Sequence, residues 1–206
     1  MENTQAHQKE VYTLVYAFRE ETALARHVTE AQKVLKEGGV QGSPAKIGTH
    51  LTIFPPFYAT KDVAKTYATL IQVGELIRKE FSDAISGLRI GWFPAPTSDS
   101  VLETIHLKVK LWPEYIHFIS RIKASDTFEW IHPHTQTTPV EPVYIPHIHL
   151  LEGAGLIACT QQYEDKLNLF FENKHYPLGE IRLFRKRETE NSGISTTKTF
   201  WQQVLV

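Results

Sequence analysis

A single cysteine, Cys159, stands in 206 residues. No internal disulfide framework can form, so a core has to come from apolar packing alone. One cysteine favours a reducing compartment, and the cytoplasm is the expected location. Positive charge is not in excess either, with 22 Lys and Arg against 23 Asp and Glu. Proteins that grip long duplex neutralise many phosphates with basic residues, so long duplex nucleic acid is not an expected partner. No apolar run approaches the roughly 20 residues of a spanning helix. The first ten residues are polar and do not read as a signal peptide. No membrane partner is expected.

Hydrophobic residues, at 42%, suffice for an ordinary globular core. Histidine is the unusual component, with 10 copies. Its charge changes near neutral pH, so clusters of it suit acid–base chemistry or metals. His7 and His27 lie in polar surroundings and read as surface residues.

Hydrophobic periodicity organises the chain. Positions 11–18 are β-branched and aromatic and read as a strand. Leu24, Val28, Ala31 and Leu35 recur at helical spacing over 21–37, and Gly38-Gly39 is a natural stop. Positions 50–58 read as a strand broken by Pro55-Pro56. Positions 62–81 read as a helix, 84–93 and 102–111 as strands, and 113 onward as a helix opened by Pro113. Positions 130–142 read as a loop, 143–151 as a strand and 156–173 as a helix with Cys159, Tyr163, Leu167 and Phe170 inward. Strands are expected over 180–186 and 199–206, with a polar hairpin loop over 189–197. Interspersed helices and strands predict an α+β fold, its sheets covered on one side by helices.

Two tripeptides carry the chemistry. His50-Leu51-Thr52 leads into Ile53, and His147-Ile148-His149 leads into Leu150. On a strand, residues two apart share a face. His50 therefore projects with Thr52, and His147 with His149, while Leu51 and Ile148 point toward packing. Phe54 falls on the face of His50 and Thr52 if the strand stays regular that far.

HLTIF at 50–54 and PHIHL at 146–150 resemble the two signature motifs of the two-histidine (2H) phosphoesterase superfamily. That superfamily includes LigT-like RNA 2′,5′-ligases and cyclic nucleotide phosphodiesterases. The signature is His, any residue, then Thr or Ser, once in each of two lobes. The resemblance implies one bilobal domain over 1–206, with two antiparallel sheets, outer helices and pseudo-twofold symmetry about a cleft holding both motifs. It implies His50 and His147 as catalytic residues, with Thr52, His149 and Phe54 on the substrate. His149 stands where the superfamily has Thr or Ser. Imidazole can still donate a hydrogen bond to a phosphoryl oxygen or carry positive charge, though it is bulkier than a hydroxyl.

Opening a phosphodiester needs a base to activate water, an acid for the leaving oxygen and donors for the phosphoryl charge. Two histidines on opposite sides of the phosphorus supply base and acid, and the scheme needs no metal or other cofactor. The expected substrate is a 2′,3′-cyclic RNA end or a small cyclic nucleotide. A 2′,5′-phosphodiesterase or RNA 2′,5′-ligase is the alternative among enzymes, and a nucleotide- or RNA-end-binding module without turnover is the alternative outside them. His132, His134, His147 and His149 raise a metal site as a rival, without the Cys pair that often accompanies one. His106 and His117 read as surface or core residues. Phe57, Tyr58, Trp92 and Phe93 are candidates for base stacking, though core is their commoner role. Arg182, Arg185, Lys186 and Arg187 read as a solvated strand edge, with phosphate binding second.

Overall fold

β-Branched and aromatic residues build strand β1, Val11–Ala17, which is buried along nearly its whole length. In the computed structural model the described residues are 11–59, 68–72, 75, 78–79, 84–93, 102–109, 128–130, 146–154, 156, 161–190 and 197–204. Helix α1, Ala23–Glu37, follows. Thr22 caps its N-terminus by accepting from the Ala25 amide, and Gly38 and Gly39 end it. Its buried stripe is Leu24, Ala25, Val28, Ala31 and Leu35, the predicted face with Ala25 added.

The remaining strands are β2 (His50–Ala59), β3 (Ala84–Ser86), β4 (Arg89–Phe93), β5 (Leu102–Lys108), β6 (Phe128–Trp130) and β7 (His147–Ala154). After them come a 3-10 turn at Gln161–Tyr163 and helix α2, Glu164–Phe171. Strands β8 (His175–Pro177), β9 (Glu180–Glu190) and β10 (Thr197–Gln203) close the chain. An eight-stranded sheet runs in the order β10-β9-β1-β2-β7-β5-β4, with β6 on β2, and β3 pairs β8 in a second sheet. Every pairing is antiparallel. The α+β class and the two antiparallel sheets agree with the sequence reading.

Several boundaries differ from it. Pro55-Pro56 does not break β2. Tyr12 pairs Phe57 and Leu14 pairs Phe54, so the two prolines occupy positions without a β1 partner, where a missing amide costs no ladder bond. The run 84–93 is two strands, because Gly87 at φ 64° turns the chain and sends β3 and β4 to different sheets. Trp130 ends β6 and is not in a loop. β9 runs beyond 186 and is no edge, since β1 and β10 pair it on both sides. His27 is half-buried, its Nδ1 within 2.8 Å of the Tyr176 hydroxyl. The helix from 113, the loop 131–142, His7, His117, His132, His134, Cys159 and the start of the strand at 143 lie outside the described residues. Of the helix over 62–81, 68–72, 75 and 78–79 are described and helical. Among the described residues no helix is long and apolar enough to cross a membrane.

The main core joins Leu14, Leu51, Ile105, Leu107 and Ile148 of the sheet to Leu24, Val28 and Leu35 of α1 and Leu167 and Phe171 of α2. Both helices thus cover one face. Each fully buried Leu or Ile contributes roughly 1.5–3 kcal/mol. The opposite face is left to polar side chains and to a small cluster of Val15, Ala17 and Phe184 with Ile47 and Trp201.

Candidate active site

Leu51 and Ile148 are the register pair that joins β2 to β7. Both are buried, at 6% and 0% exposure. Their position on the helix-covered face sends the flanking residues to the other. Antiparallel geometry then sets His50 level with His149, and Thr52 level with His147. Each motif histidine faces the third residue of the other motif. The local twofold through the Leu51–Ile148 pair exchanges His50 with His147 and Thr52 with His149. Diagonal neighbours across such a pair stand on the order of 7–8 Å apart at the backbone, which suits two imidazoles flanking one phosphorus.

Phe54 is a different matter. Val15 pairs Thr52 and Leu14 pairs Phe54, so the ladder shifts just before Phe54. Its side chain lies outside the described residues, as do those of Phe57, Tyr58 and Phe93. Trp92 is half-buried and packs on the main core.

The turn before β2 holds the rings. Gly48, at φ 82°, occupies the left-handed region that favours glycine. Its carbonyl accepts from His50 Nδ1 at 2.8 Å. A carbonyl only accepts, so Nδ1 bears the proton and Nε2 of the neutral ring presents its lone pair. His149 is anchored similarly on the Ser43 carbonyl, and its Nε2 is buried with no hydrogen-bond partner among the described residues. Burial lowers His50 to about 4, with the Gly48 bond opposing and positive charge on His149 and His147 adding to it. Burial likewise lowers His149 to about 4, against the pull of Ser43.

Strand β5 adds residues that the sequence reading left aside. His106 pairs His149 and Lys108 pairs His147. His106 is 1% exposed, and its ring centroid lies 5.1 Å from that of His147. Burial, then positive charge on His147, lowers it to about 3. Gly91 of β4 sits opposite, and a β-carbon there would lie 2.9 Å from His106 Nε2 and closer still to the Lys108 stem. The glycine makes the room that both side chains use. One signal was present in the sequence: Ile105, Leu107 and Val109 take the buried face of 102–109, which leaves Thr104, His106 and Lys108 for the other.

A cleft of about 780 Å³ opens beside His149, bounded by Arg26 and Gln32 of α1, by Gly48 and Thr49, and by Arg182. That volume suits a nucleotide-sized ligand. Arg182, from the basic strand, bonds Glu180 at 2.7 Å. Among the described residues no three His, Cys, Asp or Glu side chains converge as metal ligands do.

This architecture is shared with a solved structure. Kluyveromyces marxianus Usb1 superposes on it with a TM-score of 0.52 at 11% identity, covering 93% of this chain and 98% of that one. The structure of K. marxianus Usb1 with uridine monophosphate superposes with a TM-score of 0.46 at 11% identity over the same shares. The sequence matches no family model and no curated protein.

Proposed function

We propose that this protein is a metal-independent phosphoesterase of the 2H superfamily. It opens a phosphodiester at a 2′,3′-cyclic RNA end or in a small cyclic nucleotide. The observation that carries the reading is the Leu51–Ile148 register, which sets both motifs on one sheet face about a local twofold. The fold shared with Usb1 supports it, and so does a nucleotide-sized cleft beside His149.

His50 is the base in this reading. Gly48 fixes its tautomer, and Nε2 takes a proton from water as the water oxygen bonds to phosphorus. Three imidazoles of the face, those of His50, His149 and His106, are held neutral. His147, diagonal to His50 across the Leu51–Ile148 pair, protonates the leaving oxygen as its bond to phosphorus breaks. Solvent returns a proton to His147 and removes one from His50. Thr52, level with His147, donates to a phosphoryl oxygen.

One observation favours a second reading, a nucleotide- or RNA-end-binding module without turnover. A neutral His149 with an unpartnered Nε2 offers no donor where the superfamily has a hydroxyl. A panel of cyclic and linear phosphodiesters, 2′,5′-linked ones included, separates the readings when assayed with chelator present. Hydrolysis of a cyclic phosphate at an undiminished rate is expected. His50→Ala and His147→Ala should each cost on the order of 100-fold or more with the fold retained by circular dichroism. The double variant should cost less than the product, because paired groups act as a unit. Near wild-type rates for both single variants would end the hydrolase reading, and activity that tracks zinc content would favour the metal site.

A further inference from the structure

The row of side chains through His147 continues on both sides across the sheet. Val15 pairs Thr52 and Arg182 on one side; Lys108 pairs His147 and Arg89 on the other. The two ends carry cations in different states. Arg182 and Arg19 share the single carboxylate of Glu180. Lys108 and Arg89 are exposed, and among the described residues no carboxylate forms an ion pair with either. The row nearest the twofold differs in the same sense: β1 offers Val15 and Ala17 where β5 offers His106 and Lys108. Among the described residues the β5–β4 side of His147 therefore carries two cations with no carboxylate partner, where the β9 side carries two that share one.

We propose that Lys108 and Arg89 form a second anion subsite, for a substrate phosphate that is not cleaved. The proposal rests on the phosphodiester reading and names its substrate class: a single-stranded oligonucleotide that runs from the histidine pair across β5 toward β4. Strand spacing places Lys108 ~4.8 Å and Arg89 roughly 9–10 Å from His147 along the sheet. That span lets the pair meet the next backbone phosphate. Gly91 is part of the design, because any side chain there would displace the Lys108 stem.

The test measures binding, not turnover. On a His50→Ala background, labelled uridine trinucleotide 3′-phosphate and uridine 3′-monophosphate are titrated against Lys108→Gln, Arg89→Gln and the double variant. The trinucleotide should bind more tightly than the mononucleotide. The double variant should lose on the order of ten-fold in trinucleotide affinity. Its log affinity against log salt should flatten by roughly 0.7 per lost contact, the single-strand value. Lys108→Arg with Arg89→Lys should keep the salt slope, which separates lost charge from a disturbed fold. Unchanged trinucleotide affinity and slope in the double variant would overturn the subsite, as would a wild type with no preference for the trinucleotide. If the binding changes appear and no phosphodiester is hydrolysed, the hydrolase reading falls and the subsite stands.

Discussion

His50 donates its Nδ1 proton to the carbonyl of Gly48 at 2.8 Å, and that carbonyl faces the ring because Gly48 sits at φ 82°. A backbone conformation two residues away thus decides which nitrogen of the proposed base carries its lone pair. Gly48→Ala should destabilise the fold by about 1–2 kcal/mol, the cost of a side chain in the left-handed region. It should also cost roughly ten-fold in kcat, part of the 10²–10⁴-fold that a positioned base contributes. The Gly48 bond raises the His50 pKa against burial. Losing it should move the acid limb of kcat/KM, expected near pH 4, further down. Urea titration and a pH–rate series read the two effects separately. A stability loss with an unmoved acid limb would mean that Gly48 only shapes the turn.

Acid should unfold this protein earlier than its net charge suggests. His50 and His149 lie near 4 and His106 near 3, each depressed first by burial. In the unfolded chain they titrate near the ordinary ~6.5. Below that value the unfolded state binds protons that the fold refuses, so stability falls as pH drops from about 6.5 toward 4; above 6.5 both states are neutral and the effect vanishes. Each such group costs about 1.4 kcal/mol per pH unit inside the window. His106→Leu keeps most of the volume and removes one group, so its urea midpoint should fall less between pH 7 and pH 5. Equal falls for wild type and variant would show that His106 protonates freely in the fold.

Period two made one face of the site legible in the sequence. His50 with Thr52, and His147 with His149, followed from alternation within each strand, as did the inward Leu51 and Ile148. Which strand lies next to which is a tertiary fact, and His106 became part of the site only when β5 paired β7. Lys108 and Arg89 were hidden for the same reason. The shift at Ile53 shows the limit of alternation: an extra residue in β2 changes the pairing after it, and no local pattern marks the place. Gly87 was a visible turn signal inside an apparently continuous strand, overridden by the apolar residues around it.

Thr52→Ala should be milder than His50→Ala. Thr52 stands level with His147 and half-buried in β2, and the proposed function has its hydroxyl donate to the phosphoryl group. Removing it leaves proton transfer intact. A loss of roughly 10-fold in kcat is expected, against 100-fold or more for the histidine. Initial rates on the best cyclic phosphate decide the order, and a reversed order would make Thr52 part of the proton path.

His149 poses the sharpest question, because in the motif that this chain resembles a hydroxyl stands at that place, and here burial lowers the ring to about 4. Its N–H faces the Ser43 carbonyl, and Nε2 is buried with a lone pair and no partner among the described residues. In the proposed function a lone pair would repel a phosphoryl oxygen brought to it. To act as a donor, His149 must take up a proton when the phosphate arrives, and its depressed pKa makes that uptake costly at pH 7. Threonine would donate without it. His149→Thr should therefore retain or raise cyclic phosphate turnover at pH 7. It should also remove proton uptake on binding uridine 3′-monophosphate, measured by calorimetry in buffers of different ionisation enthalpy. Wild-type affinity should weaken from pH 5 to pH 7.5, and the variant's should stay nearly flat. If His149→Thr is as damaging as His50→Ala, His149 is itself a proton-transfer group, and the pairing of His50 with His147 is the wrong pair.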